Sequence, residues 1–294
     1  MNYTYDLAKI AKRESETGKT PSEMKNPAKY ESDTDSSIVL ETSNTFDRWG
    51  NYHFHRHLEL YYIISGEKVI FLGNKKYILK KDDVLIIESF VQHLVLPDND
   101  SSRQYLIKLP DNYCSQYLSF MKGRKLKTPF LSSEKAIGLK KYFHTIVTEH
   151  NMMNPILLYA NINMLLGEII SLCDVEENMI NISNDRIELI VNYINKHYRE
   201  KINLKTLADV FNYSPYYFSR LFNSLFNIGV PEYIAYVRLN NTIETFMTTD
   251  MFLTEIALAN GFNSMQTFYR TFHKYYGDIS VSDLKKVDAI KGSK

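Results

Sequence analysis

Cysteine is scarce in this chain: Cys114 and Cys173 are the only two in 294 residues, far apart and outside any Cys-x-x-Cys pattern. That excludes a disulfide scaffold or a cysteine zinc ribbon and suits a reducing cytoplasm. An excess of one charge is missing too. Basic residues number 35 against 34 acidic, a net of +1, and residues 184–294 alone hold 13 basic against 11 acidic. No polybasic tail draws the chain to nucleic acid by bulk charge, so any case for DNA must rest on pattern. A signal peptide is not expected either, because Met1 to Lys12 carries charges where an apolar stretch is needed. The most apolar window, Ile156 to Leu172, is broken by Asn161, Asn163 and Glu168, and predicts a helix buried in protein, not a membrane span. What is present is an ordinary composition, 44% hydrophobic and 23% charged, on a chain long enough for two cores.

Three stretches differ in period. Residues 1–37 are polar, interrupted by Gly18, Pro21 and Pro27, and predict an N-terminal arm. Residues 38–128 have a period near two, with β-rich runs at 52–64, 67–72, 76–80, 84–88, 93–96 and 104–109. Turn signals separate them: Ser65-Gly66, Gly73-Asn74, Lys81-Asp82-Asp83, and Pro97 with Asp98-Asn99-Asp100. Short antiparallel strands at that spacing predict a sandwich or small barrel. Residues 129–175 turn helical, with one helix expected over 133–150 and a second over 155–175, a pair suited to covering the β domain or joining two subunits. Residues 176–184 read as a linker, and 185–288 as an all-helical domain. The fold class expected is α+β and multidomain.

The helical domain contains an internal repeat. Ala208, Ser214, Phe218, Arg220 and Phe222 recur as Ala257, Ser264, Phe268, Arg270 and Phe272, with one extra turn residue in the second copy. Each copy reads as a short helix, a tight turn and a second helix. Asn212 and Gly261 supply turn residues able to adopt positive φ, while Ser214 and Ser264 stand where an N-cap is needed and Pro215 at the first helical position. Two helices joined in this way form the motif whose second helix enters the major groove. Helical geometry leaves Tyr216, Ser219, Arg220 and Asn223 on the outer face of the first such helix, with Tyr217, Phe218, Leu221 and Phe222 inward. In the second, Met265, Gln266, Tyr269, Arg270 and His273 face outward, with Phe268 and Phe272 inward. Arginine can bond guanine in pairs, glutamine adenine, and Tyr or Met can pack on thymine methyls. Lys205, Lys274 and the amides at Ser214 and Ser264 suit phosphates. A solitary helical arginine is more often a surface ion-pair residue, but two at one repeat position shift the reading toward DNA.

The segments LKTLADVFNYSPYYFSRLFNSLF (204–226) and TEIALANGFNSMQTFYRTFHKYYG (254–277), joined by EYIAYVRLNNTIETFM (232–247), resemble the AraC/XylS family of bacterial regulators. That resemblance implies a double helix-turn-helix domain in which the outward residues above read bases, joined by a linker helix. It also implies double-stranded DNA as partner, a cytoplasmic homodimer pairing through 129–175, and RNA polymerase as a further partner if the chain is an activator. The chain departs from the family at Asn227, where glycine is usual, at Thr242 in place of alanine, and at Val281 in place of proline.

The run His53-Phe54-His55-Arg56-His57-Leu58-Glu59-Leu60-Tyr61, with Gly66 and the later His93, is similar to the cupin barrel of AraC-type sensor domains. In an unbroken strand His53, His55, His57, Glu59 and Tyr61 share one face. Such a stripe could line a ligand cavity, hold a metal or face water. The pocket expected for a small-molecule effector, a sugar among the candidates, is His55, His57, Glu59, Tyr61 and His93, with no metal or cofactor assigned. Glu59 follows His57 more closely than metal-binding cupins require, and Asp82 stands where they have glycine. The chain is therefore read as an effector-responsive, non-enzymatic activator of carbohydrate or other small-molecule metabolism genes. The alternatives are a metal-dependent cupin enzyme with a helical appendage, and a regulator sensing a fatty acid or a partner protein.

Overall fold

A computed structural model describes residues 29–30, 39–43, 53–73, 75–96, 102–178, 182–226, 228–276 and 280–281. The rest of the predicted arm, the turn at 97–100, Asn74, Asn227 and Gly277 lie outside the described residues. The chain divides into two compact units, the first ending at Ile187 and the second running from Glu188.

In the first unit, strands β1 (Lys29–Tyr30), β2 (Val39–Ser43), β3 (His53–Phe54), β4 (Leu58–Ser65), β5 (Glu67–Leu72) and β6 (Lys75–Lys80) are followed by β7 (Val84–Ile87), β8 (His93–Val95) and β9 (Arg103–Leu109). Beyond them come helix α1 (Ser115–Met121), β10 (Arg124–Leu126), β11 (Phe130–Leu131), α2 (Ser133–Ala136), α3 (Lys140–Glu149), α4 (Pro155–Leu172) and β12 (Val175–Glu177). Two five-stranded sheets form, ordered β1-β3-β8-β5-β6 and β11-β7-β4-β9-β2. The tight β4–β5 and β5–β6 turns place Gly66 and Gly73 at positive φ, and Asp82 adopts φ 67° where glycine would be easiest. Among the described residues no ladder joins the two sheets, so the arrangement is a pair of packed sheets and not the closed barrel that the sequence admitted. Two further differences concern its N-terminal part. Lys29 and Tyr30, inside the expected arm, pair parallel with His53 and Phe54, and Tyr30 packs on Phe54 and Phe90. The expected continuous strand over 52–64 is also broken between Phe54 and Leu58.

Alternation along β4 sends its side chains into two cores. Tyr61 and Ile63 join Ile70, Leu79, Leu85, Ile87, Val95 and Leu106 between the sheets. Leu58, Leu60 and Tyr62 face the other way, toward Phe143 and Ile146 of α3 and Ile162, Leu165, Leu166 and Ile169 of α4. The helix pair thus covers one sheet. Asn154 caps α4 by accepting from the Leu157 amide at 2.9 Å, with Pro155 at the first position. By length and composition α4 could cross a membrane, but its buried stripe is sealed on the sheet. Its other face is bare: Ile156 is 82% exposed and Leu157 and Met164 about half.

The second unit is helical: α5 (Asn184–His197, beginning in the first unit), α6 (Leu204–Val210), α7 (Pro215–Phe226), α8 (Val230–Thr248), α9 (Leu253–Ala259) and α10 (Met265–Tyr276). The predicted caps are present. Ser214 Oγ accepts from the Tyr217 amide and Ser264 Oγ from the Thr267 amide, each at 3.2 Å. Asn212 at φ 57° and Gly261 at φ 89° make the two turns. The departures at Thr242 and Val281 are accommodated: Thr242 bonds the Arg238 carbonyl at 2.8 Å, and Val281 is buried with Leu239, Ile243, Phe268 and Phe272.

Candidate nucleic-acid interface and histidine cluster

α7 and α10 are amphipathic for the same reason. Phe218, Leu221, Phe222 and Phe226 bury one face of α7; Phe268, Thr271 and Phe272 bury the corresponding face of α10. Around the first stripe, Phe218 contacts Phe211, Tyr213 and Phe222, and Tyr233 of α8 closes against Phe222 and Phe226. Around the second, Phe262 and Phe272 flank Phe268. These contacts fix which side chains remain outside. Tyr216, Ser219, Arg220 and Asn223 are exposed on α7, and Gln266, Tyr269, Arg270 and His273 on α10.

Two positions differ from the sequence reading. Tyr217, expected inward, is half exposed and leans on Tyr213, with ring centroids 5.2 Å apart. Met265, expected outward, is partly buried against the cluster of Leu239, Ile243, Phe268 and Phe272. Lys274, a candidate phosphate contact, is joined to Glu232 of α8 at 2.5 Å, and the Tyr275 hydroxyl donates to the same carboxylate oxygen at 3.1 Å. Neither Arg220 nor Arg270 is tied in this way: among the described residues they form no ion pair, and the guanidinium of Arg220 lies 5.8 Å from the Tyr216 ring centroid.

The turn into α10 is braced from behind. The Tyr198 hydroxyl donates to Asn260 Oδ1 at 3.1 Å, and Arg238 of α8 donates to the carbonyls of Tyr198 and Glu200 at 2.7 and 2.8 Å. A Cβ on Gly261 would stand 2.9 Å from the Tyr198 carbonyl oxygen. Only glycine admits that approach at positive φ.

In the first unit the histidine run is wholly buried, which removes the water-facing reading. His53, His55 and His93 each offer a ring nitrogen, all within 4.8 Å of one another. Glu59 lies beside them. Its Oε2 is 2.9 Å from His55 Nε2 and 3.2 Å from His93 Nε2, the latter contact out of line for a hydrogen bond. Its Oε1 accepts from the Tyr61 hydroxyl at 2.8 Å, with Lys108 Nζ 3.5 Å away. The structure therefore gathers four of the five expected pocket residues. His57 is buried but outside the trio, and its carbonyl, not its ring, faces His55 Nδ1 at 3.2 Å. The physical reason is the break after Phe54, which ends strict alternation. His53 and Lys108 belong to the cluster and were missed. Spacing counted from His55, with Glu59 at i+4, would have found the first; Lys108 comes from a distant strand, opposite Glu59 in the β4–β9 register.

Burial lowers the basicity of His53 well below the ordinary histidine range, helped by His93 and His55. His55 is lowered by burial, partly offset by Glu59. In His93 burial acts downward too, but the Glu59 contact outweighs it and raises the value. Burial alone would raise Glu59; Lys108 and the two histidines reverse this and hold it well below the carboxylate range. Burial favours the neutral form of His53 and His55, the form in which imidazole binds a metal, and three imidazoles with a carboxylate suit a late first-row divalent ion. His93 Nε2, buried without a hydrogen bond, is a further donor atom in place for one.

Comparison with known proteins agrees with this division. Residues 207–281 match a helix-turn-helix domain family and residues 47–104 a cupin domain family. The chain is 32% identical over 90 residues to the uncharacterized HTH-type transcriptional regulator YbfP of Bacillus subtilis, covering 31% of this chain and 30% of that protein. It is 33% identical over 91 residues to the bifunctional transcriptional activator/DNA repair enzyme AdaA of B. subtilis, covering 31% and 43%. These matches span less than half the length of either relative. ToxT from Vibrio cholerae is similar in structure at TM-score 0.47 and 12% identity, covering 84% of this chain and 97% of that one. The chain carries a helix-turn-helix domain in its C-terminal part. It combines this with an N-terminal cupin-like domain.

Proposed function

We propose that the protein is a sequence-specific DNA-binding transcription regulator. The observation that carries this reading is the pair of exposed arginines, Arg220 and Arg270, at one repeat position on two capped amphipathic helices, neither in an ion pair among the described residues. On this reading Tyr216, Ser219, Arg220 and Asn223 address one stretch of major groove, and Gln266, Tyr269 and Arg270, edged by Met265, address the next. Lys274 serves by holding α10 to Glu232 more than by meeting phosphate. Footprinting with the full chain is the test, with a protected site of roughly two helical turns expected; no protection at any sequence would overturn the reading. Arg270→Ala should weaken binding by roughly 1–3 kcal/mol and relax preference at one base pair in a mobility-shift assay.

The finer form of the proposal makes the protein an effector-responsive homodimer that activates genes of carbohydrate or other small-molecule metabolism. The bare apolar face of α4 supports pairing of two copies, and the buried His55, Glu59, Tyr61 and His93 group supports a polar ligand in the first unit. A second reading is favoured by the His53, His55 and His93 trio with Glu59: these four would hold a divalent metal, which would supply Lewis-acid chemistry or bind an anionic effector. Metal content of the purified protein separates the two. Near-stoichiometric zinc, iron or manganese, lost in His55→Ala, supports the second; no metal in either protein leaves the polar pocket.

A further inference from the structure

The two recognition helices differ at the residue one turn before their arginine. In α7 this residue is Tyr216, 74% exposed, and the Arg220 guanidinium sits over its ring at 5.8 Å. In α10 the equivalent residue is Gln266, and the exposed ring on that helix, Tyr269, stacks on His273 instead. The repeat thus contains its own control: two arginines at one position, of which one rests on an aromatic face.

We infer that Tyr216 is a positioning residue for Arg220, presetting its guanidinium to read a guanine while the tyrosine ring covers an adjacent thymine methyl. The inference rests on the DNA-binding reading above and concerns how that site chooses sequence. Three physical facts support it. Residues at i and i+4 lie on one helical face, so ring and guanidinium leave α7 in the same direction. A guanidinium held over a ring retains its edge donors for the paired bonds that guanine offers at O6 and N7. And α7 is fixed at its start by the Ser214 cap, while Tyr217 leans the other way onto Tyr213 and leaves the Tyr216 ring to its arginine. Arginine loses much side-chain freedom on binding, so a pre-placed one loses less when it meets its base. Among the described residues Arg270 has no such aromatic support, and its base preference should be less sharply set by its helix neighbours.

In vitro selection from a random DNA pool, followed by sequencing, tests this with the full chain. Wild type should enrich a motif with guanine at one position that becomes indifferent in Arg220→Ala. Tyr216→Ala should lower the guanine preference at that same position by about 2- to 5-fold, the range of an exposed cation–π contact, and weaken the thymine beside it. Tyr216→Phe, which keeps the ring, should preserve both. Gln266→Tyr should sharpen the base read by Arg270. Undiminished guanine preference in Tyr216→Ala, or no position that depends on Arg220, overturns the inference while leaving DNA binding intact. Failure of wild type to enrich any motif overturns the DNA-binding reading itself. Tyr216 lies outside the core, so loss of folding does not confuse these outcomes.

Discussion

Gly261 carries two constraints at once, a φ of 89° and a backbone approach that leaves no space for a methyl group. Gly261→Ala should cost at least ~1–3 kcal/mol from the left-handed conformation alone, and more because the Tyr198 carbonyl cannot retreat while Arg238 holds it. Chemical denaturation of the purified variant reads this directly. Glu88 sets a different test. It is half-buried between the Tyr117 hydroxyl and the Leu126 amide, each 3.4 Å away, and loss of water around it raises its proton affinity above the ordinary carboxylate value. The folded state then binds a proton more tightly than the unfolded chain, so stability falls as pH rises from the unfolded value through the folded one. Thermal unfolding of Glu88→Gln should lose that dependence, becoming more stable than wild type at neutral pH and converging with it in acid. The same residue scale shows where sequence reasoning reached its limit. The outward placement of Arg220 and Arg270, the positive φ of Asn212 and the serine caps are set by local geometry and were legible. The Lys274–Glu232 pair was not, because its two residues lie on different helices.

Among elements, the strands β5, β6, β7, β8 and β9 were legible within a residue or two, since alternation and turn residues are local signals. α1, β10 and β12 were not. β10 and β12 have only three residues each and exist by pairing across some fifty positions of sequence, Arg124 opposite Glu177 and Lys125 opposite Glu176. The break between β3 and β4 escaped for a related reason: His53 to Tyr61 looks like one alternating strand, yet the carbonyl of His55 turns aside to accept the Phe90 amide at 2.7 Å. That break decides which histidines gather. α4 gives the element-scale prediction. Leu165 lies fully in the core, so Leu165→Ala should lower stability by ~2–5 kcal/mol. Ile156→Ser, on the bare face of the same helix, should leave monomer stability within about 0.5 kcal/mol.

At the scale of the whole molecule the same pair of substitutions separates folding from assembly. If α4 joins two copies, sedimentation of the Ile156→Ser protein should show a lighter species than wild type at equal concentration, with circular dichroism unchanged; an unaltered sedimentation profile would count against pairing through this face. The expected linker over 176–184 falls close to the division between the two compact units after Ile187, but sheet closure was not legible, because alternation specifies a strand's faces and says nothing about whether its sheet's edges meet. The Lys274–Glu232 pair has one more consequence. A chain of net charge +1, with a basic side chain of its recognition helix already neutralised from within, would displace few counterions from a duplex. Its affinity should therefore decline only gently with added salt, whereas proteins making 6–10 phosphate contacts lose roughly 10³–10⁵ between 50 and 200 mM. Such a protein would linger little on arbitrary sequence, and its occupancy of a genome would follow the few bases it reads.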